Sequence, residues 1–496
     1  MAQNILAIDQ GTTSTRGLVF DPSGRLLAAA QWELAQSYPQ SGWVEHDPQE
    51  IFRDVLKTSR EAIAKSGAPI AAIGIANQRE TTVVWERATG APVYPAIVWQ
   101  DRRTANFCQR LRHEGCEELI RARTGLLLDP YFSATKLAWI LDNVSGARAG
   151  AESGALAFGT IDSFLLWHLT GGKVHATDAA NAARTMLFDI RRLCWDEELL
   201  RFFSIPKMIL PEVHDNSFMF GLTAPGLFET QIPVAGMAGD QHAALIGQAC
   251  FEPGMGKATF GTGLFLLLNT GGEVHPPAKG VLTTLGYRAA GRTAYALEGS
   301  VFAAGAVLKW LRDRLGLFTD VSETGTIAAA LGSNEGVYLV PAFIGLGAPY
   351  WDPDARGLIC GLTLDSGPAH LVRAGLESSA YQTADLLQAM PVGAGAPHVL
   401  RVDGGMAAND WFCQFLADIL GTPAERPAQL EATALGAACL AGLTVGIFSD
   451  LASISAQWKC GARFAARMAE TDRSRLIAGW QDAVSRALVA SRRART

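Results

Sequence analysis

The amino-acid sequence predicts an α/β protein made of two similar halves. Strand and helix signals alternate along all 496 residues, which favours that class. A short strand–Gly/Thr turn–strand unit near the start also has a counterpart near the middle. In the first unit, Ile5-Leu6-Ala7-Ile8-Asp9 runs into Gly11-Thr12-Thr13-Ser14. In the second, residues 256–260 run into Gly261-Thr262-Gly263 and then an apolar stretch. Length alone allows roughly two to four domains. Segment 247–256, with Pro253 and three glycines, is the natural boundary, so the expected division is 1–248 and 249–496.

The elements follow in order. Strands over 5–9 and 16–20 form a hairpin, and Asp21-Pro22-Ser23-Gly24 has the residues of a type I turn before a third strand over 25–30. A further strand over 71–75 leads into Asn77-Gln78-Arg79-Glu80 and the β-rich Thr81-Thr82-Val83-Val84-Trp85. Helix 135–144 places Leu137, Ile140, Leu141 and Val144 on one face. Helix 162–169 ends at Gly171-Gly172, which suits a C-cap. In the second half, strands are expected over 256–260, 293–297 and 399–402. A helix over 409–420 carries Trp411, Phe412, Phe415, Leu416, Ile419 and Leu420. A C-terminal helix carries Leu476, Ile477, Trp480, Val484 and Leu488.

Composition narrows the function classes. With 49% hydrophobic and 18% charged residues, the chain is globular rather than disordered. Lys and Arg number 42 against 48 Asp and Glu, and a net charge of −6 argues against a nucleic-acid binder. The basic tail Arg492, Arg493 and Arg495 reads as solvated. Eight cysteines include no CxxC pair, which weakens zinc and thioredoxin-like readings, and Cys250 and Cys439 sit in apolar runs as small buried residues. No signal-peptide pattern opens the chain, and no uncharged apolar run reaches the ~18 residues of a membrane span. The expectation is a soluble, cytoplasmic protein with reduced thiols and no membrane insertion.

Common phosphate motifs are missing. Gly254-Met255-Gly256-Lys257-Ala258 holds a Gly-Lys but lacks the spacing and hydroxyl of a P-loop. No GxGxxG passes from strand to helix. The turn at 11–14 can serve by another route: successive N–H groups in a tight turn form an anion nest. Asp9 before it can hold Mg²⁺ through water. Arg16 can pair with a phosphate or with the turn's own acid. A hairpin with a buried Asp and capping hydroxyls explains the same residues, but a second Gly-Thr-Gly turn favours a two-sided clamp. A third Gly-rich point is Gly404-Gly405 after Asp403, where the backbone can approach a flat ligand. Asn409 beyond it offers donor and acceptor.

Candidate chemistry gathers elsewhere. Asp240, flanked by small residues at a strand-to-helix junction, can act as a general base; helix N-capping explains it equally. His242 beside it reads as structural. Arg79 and Glu80 can bracket a polyol if the chain is irregular there, since neighbours on a regular strand face opposite ways. An exposed loop ion pair is the plainer alternative. Tyr131 stands just before a helix, and Trp99 and Phe265 can wall a ligand or fill a core.

Taken together, these segments resemble the FGGY carbohydrate kinases. The resemblance rests on AIDQGTTSTR (7–16), NQRET (77–81), WQDRR (99–103), PYFSATKLAWIL (130–141), GTIDSFLLWHLTGG (159–172), AGDQHAAL (238–245), FGTG (260–263), EGSVFAAGAVLKWLRD (298–313), GLGAPYWDPDARG (345–357) and RVDGGMAANDW (401–411). It spans nearly the whole chain. The resemblance implies a two-domain, actin-like (ribonuclease H-like) ATPase fold with the active site in the interdomain cleft. It implies ATP and Mg²⁺ as cofactors and glycerol as substrate, converted to sn-glycerol 3-phosphate. The alternatives are another polyol or ketose, such as erythritol or a pentulose, or a non-metabolic actin-like ATPase. By motif match, Thr12, Thr13, Ser14 and Arg16 lie at the nucleotide phosphates, and Thr262 and Gly305 approach from the second half. Gly405 and Asn409 border adenosine, with Lys309 nearby where the family often has Gln. Arg79, Glu80, Tyr131, Asp240 and Gln241 hold the hydroxyls, Trp99 and Phe265 face the carbons, Asp240 is the base, and Asp9 helps place the metal. A homo-oligomer, dimer or tetramer, is implied as well. Segment 221–232 lacks the Gly-Gly-rich, Arg-bearing loop that binds fructose 1,6-bisphosphate in regulated relatives. It also lacks the His that some relatives phosphorylate, so both controls are expected to be missing.

Overall fold

A computed structural model describes residues 3–276, 280–390 and 397–494, with side chains through Leu488. Arg495 and the side chains of Arg492 and Arg493 lie outside the described residues. Strands Asn4–Gln10 and Ser14–Phe20 pair antiparallel and set Asp9 opposite Arg16; Leu26–Glu33 extends the meander. Between the second and third strands, the Asp21 carboxylate accepts the N–H groups of Ser23 (2.9 Å) and Arg25 (3.1 Å), and Gly24 takes φ +77°. That is the expected turn, closed by its aspartate. On the other side of Asn4–Gln10, strands Ile70–Asn77 and Pro233–Gly239 add in parallel, and Ser217–Leu222 closes the edge antiparallel.

The second sheet repeats this plan. Met255–Phe260, Leu264–Gly271 and Arg292–Val301 form an antiparallel meander, with Leu282–Ala289 beyond it. Val399–Asp403 and Ala424–Pro427 add in parallel on the other side of Met255–Phe260, and Cys460–Phe464 ends the sheet. Each half therefore has three antiparallel strands followed by two parallel ones. Parallel neighbours need crossovers, and helices supply them. Helix Pro48–Ser66 is one: Asp47 caps it through Gln49 N–H at 2.8 Å, Pro48 begins it, and Gly67 at φ +58° ends it.

One helix joins the halves. Ala432–Thr444 belongs to the second half in chain order, yet it lies against helix Asp240–Gly247 and the strands of the first sheet. Small residues allow the approach. A Cβ at Gly436 would collide with the Ala243 carbonyl, and one at Gly247 with the Ala432 carbonyl. Ile5, Ala7, Leu18, Leu267, Tyr287, Ala434 and Leu440 consequently share one apolar cluster.

Local expectations need small revisions. Helices run over Ser133–Asn143, Ile161–Leu169 and Asp410–Leu420. The second is capped by Thr170, and Gly171 and Gly172, both at positive φ, follow the cap. The strand expected over 81–85 is Val83–Glu86, because Glu80 at φ +59° turns the chain before it. All eight cysteines are free. Among the described residues, no helix is long and apolar enough to cross a membrane.

Candidate active site

Arg79 and Glu80 leave the end of strand Ile70–Asn77 on an irregular stretch. The left-handed backbone at Glu80 breaks strand alternation, and both side chains are buried. The exposed ion-pair alternative is therefore wrong. Arg79 forks onto Glu298, with Nη1 to Oε2 at 2.6 Å and Nη2 to Oε1 at 2.9 Å. Arg184 donates from Nε to Glu80 Oε1 at 2.6 Å and from Nη2 to Glu298 Oε1 at 3.0 Å. Two guanidiniums and two carboxylates thus compensate one another in a buried cluster, the condition under which such charges are tolerated. Burial would raise the Glu298 carboxyl, but Arg184 and Arg79 hold it well below its ordinary range. At Glu80 burial prevails over the same two arginines, and its pKa is raised. Arg184 Nη1 is buried without a partner, a donor that a ligand hydroxyl would satisfy.

Asp240 stands at the open edge of this cluster. Strand Pro233–Gly239 feeds helix Asp240–Gly247, and the N-cap is Gly239, so Asp240 is not the cap. Its carboxylate accepts Gln241 N–H at 2.7 Å and lies 3.3 Å from Arg79 Nε. Its side chain is 29% exposed against 2% for Arg79. Desolvation raises its pKa against the pull of Arg79 and Lys257. A carboxylate with raised proton affinity at an opening suits a general base. His242 is fully buried, and neither ring nitrogen has a partner. Desolvation, then Arg79, keeps it neutral.

Aromatic rings wall the opening. Trp99 and Tyr131 centroids lie 5.4 Å apart, and Trp99 and Phe265 6.3 Å apart, all edge-to-face. The Arg79 guanidinium sits 5.9 Å from the Phe265 ring. Trp99 Nε1 donates to Thr12 Oγ1 at 2.9 Å and ties this wall to the first turn.

At that turn, Gly11 N–H bonds the Ser14 carbonyl at 2.9 Å, while Thr13 is exposed and its carbonyl accepts Leu34 N–H at 2.9 Å. Arg16 pairs with Asp9 and, at 2.6 Å, with Glu431, so it binds the turn's own acid. The second turn is braced by backbone. Ala304 and Gly305 N–H groups bond the Thr262 and Gly261 carbonyls at 2.9 and 3.0 Å, and a Cβ on Gly305 would stand 2.6 Å from the Gly261 oxygen. Gly404 takes φ +86°, where a Cβ would stand 2.5 Å from the Phe260 carbonyl; Gly405 faces open space. Asn409 caps the following helix through Phe412 N–H at 3.1 Å and donates to Thr324 Oγ1 at 3.2 Å. Lys309 is exposed, one turn beyond Gly305. The first turn, the aromatic wall and the glycine turns form one chain of contacts.

Among the described residues, no group of three or more His, Cys, Asp or Glu could hold a metal. Asp9 offers one buried carboxylate below the first turn. Magnesium carried on phosphates needs only one or two protein carboxylates, so this donor fits. A cavity of about 900 Å³ lined by Phe107, Leu111, Arg148 and Phe203 lies apart from all these residues. Four further charged residues join this arrangement without any motif singling them out: Glu298, Arg184, Lys257 and Glu431. The available signal was a lone charge inside an apolar strand, as in Tyr295-Ala296-Leu297-Glu298, because buried charge demands a partner.

Comparison with known proteins agrees in sequence and shape. The model of the FGGY family of carbohydrate kinases, N-terminal domain, matches residues 4–247, and its C-terminal domain model matches 256–445. The chain is 58% identical over 490 residues to glycerol kinase from Gluconobacter oxydans, covering 98% of this chain and 96% of that one. It is 57% identical over 485 residues to glycerol kinase from Rhodospirillum centenum, covering 97% of each. The crystal structure of Plasmodium falciparum glycerol kinase with ADP superposes with a TM-score of 0.93 at 38% identity, covering 98% of both chains. A xylulose kinase from Rhodospirillum rubrum, 22% identical with a TM-score of 0.87 and covering 99% of this chain and 100% of that one, shares the fold.

Proposed function

The chain belongs to the FGGY family of carbohydrate kinases, and we propose that it transfers the γ-phosphoryl group of ATP to glycerol. The observation that carries this reading is the buried Arg79–Glu80–Arg184–Glu298 cluster with Asp240 at its open edge, walled by Trp99, Tyr131 and Phe265. A small polyol presents donors and acceptors together, and this cluster offers both. The high identity to glycerol kinases supports glycerol over longer polyols.

In this scheme Arg79, Glu80, Tyr131 and Gln241 orient the hydroxyls, while Trp99 and Phe265 face the carbon chain. Asp240 takes the proton as the hydroxyl oxygen bonds to the γ-phosphorus and ADP departs, giving sn-glycerol 3-phosphate. Thr12, Thr13 and Ser14 meet the phosphates from the first half, and Thr262 and Gly305 meet them from the second. Gly405 and Asn409 border the adenosine, with Lys309 nearby. Arg16 acts through Asp9. Asp9 would hold a magnesium ion that arrives on the nucleotide, and the ion supplies charge neutralisation at the phosphate oxygens. The polyol and part of the phosphate site fall in 1–248 and the nucleotide side in 249–496, with the site between them.

A homo-oligomer, dimer or tetramer, working in the cytoplasm completes the proposal, and light scattering of the purified protein checks its size. Segment 221–232 contains no Arg or Lys, so fructose 1,6-bisphosphate finds no cation there. Activity should not respond to it; inhibition in a clean assay would refute that part. The substrate assignment is tested by ADP release with glycerol, erythritol and a pentulose side by side. Glycerol is expected to turn over fastest, and faster turnover of the pentulose would reject it.

A further inference from the structure

Lys257 lies in strand Met255–Phe260 and is fully buried. Its neighbours in register are Leu267 on one side and Arg401 on the other; Leu267 in turn pairs with Glu298. One row of the second sheet therefore carries Glu298, Leu267, Lys257 and Arg401 toward helix Asp240–Gly247. The next row on the same face carries Phe265, Thr259 and Asp403. Lys257 Nζ donates to Gln241 Oε1 and, at 3.0 Å, to Thr259 Oγ1. Asp403, which precedes the Gly404-Gly405 turn, accepts Gln248 Nε2 at 2.7 Å.

From these contacts we infer that Lys257 is a positioning residue for the transfer step: it fixes Gln241, whose backbone N–H holds the Asp240 carboxylate, and brings a cation from the second sheet to that pair. A buried ammonium is costly unless it has a task or partners. Here its hydrogen-bond acceptors are neutral side chains, and the charge itself is left to act on carboxylates nearby. Asp240 and Asp403 both stabilise the Lys257 cation, while Arg79 opposes it and Glu298 supports it. Burial nonetheless pushes the ammonium down to about 8. Asp240 in turn is faced by Arg79 and by Lys257, and both favour its carboxylate against desolvation. The neutral His242 contributes no charge at this point. A cation supplied by the second sheet thus adds to Arg79 in favouring the carboxylate of a base supplied by the first.

The inference rests on the proposed phosphoryl transfer, so wild-type turnover is measured first. Absence of glycerol-dependent ADP release in the wild type would sink that reading, whatever Lys257 does. With turnover established, Lys257→Met is compared with wild type, with far-ultraviolet dichroism and ADP binding checking the fold. The expected result is a kcat lowered about tenfold or more. The acidic limb of the kcat/KM profile should also move upward by about one pH unit, the low end of the one to three by which a close opposite charge shifts a carboxyl. The direction follows because loss of a neighbouring cation raises the proton affinity of Asp240. If the Met variant does not fold, Lys257→Gln keeps a donor to Gln241 without charge and carries the same test. An acidic limb left at the wild-type pH in a folded variant overturns the inference, because a purely structural lysine would lower activity without moving it.

Discussion

The two halves repeat one sheet order, but their turns are held in different ways. In the first half, a carboxylate and a guanidinium lie opposite each other below the turn, at Asp9 and Arg16. Counting back from the glycine, the matching pair in the second half is Thr259 and Phe265, with no charge pair. The first turn is braced by side chains: Arg16 reaches Glu431, and Trp99 reaches Thr12. Backbone braces the second, through the N–H groups of Ala304 and Gly305. The first half also supplies Arg79, Glu80, Arg184 and Asp240, while the second contributes Glu298 and Lys257 to that cluster. The lesson is that a duplicated scaffold can separate tasks. In the proposed reaction, one copy gathers charge for the hydroxylated substrate, and the other keeps glycine turns through which the nucleotide would approach the backbone.

This contrast can be broken from either side. The largest effect is expected at Glu298, the charge that the second half lends to the first. Glu298→Gln leaves Arg79 and Arg184 short of a counter-charge in a dry site. Loss of about 3–5 kcal/mol of stability is expected, together with a raised KM for glycerol. Urea unfolding and a glycerol titration measure the two, and an unchanged urea midpoint would show that the cluster is not charge-balanced as described. Next comes Gly404→Ala, which tests the backbone side. Its φ of +86° excludes other residues at a cost of about 1–3 kcal/mol, and the added methyl meets the Phe260 carbonyl. ADP affinity should fall while glycerol affinity holds; the reverse pattern would invert the division of labour. The smallest effect belongs to Trp99→Phe, which keeps a ring but removes the bond to Thr12. About 1 kcal/mol, or roughly fivefold in kcat/KM, is expected.

Much of this arrangement could be read in the sequence, for physical reasons that differ by residue. Both hairpin turns show Gly and Thr between apolar strands and so are legible, and at Gly263 a Cβ would stand 2.5 Å from the Val301 carbonyl. Asp240 stood out because small residues surround it at a strand end. Arg79 and Glu80 were visible as a pair, but their joint burial depended on Glu80 taking φ +59°, which no local pattern announces. Glu298 is different. Its partners, Arg79 and Arg184, lie 219 and 114 residues away in sequence. A local reading sees only a glutamate in an apolar strand. The helix Ala432–Thr444 was hidden for a related reason: its alanines and glycines suit close approach, yet nothing in them names the first half as the surface approached.

The central claim is that Asp240 receives the proton from a hydroxyl held by the first half, while the second half holds the nucleotide. Its most direct test compares Asp240→Asn with wild type in glycerol-dependent ADP release, alongside calorimetric binding of ADP. Wild-type kcat/KM should fall on the acid side with a midpoint above the ordinary carboxylate range, because desolvation raises Asp240. The Asn variant should lose about 10²–10⁴-fold in kcat and keep ADP affinity near wild type. Full turnover by Asp240→Asn would contradict the account.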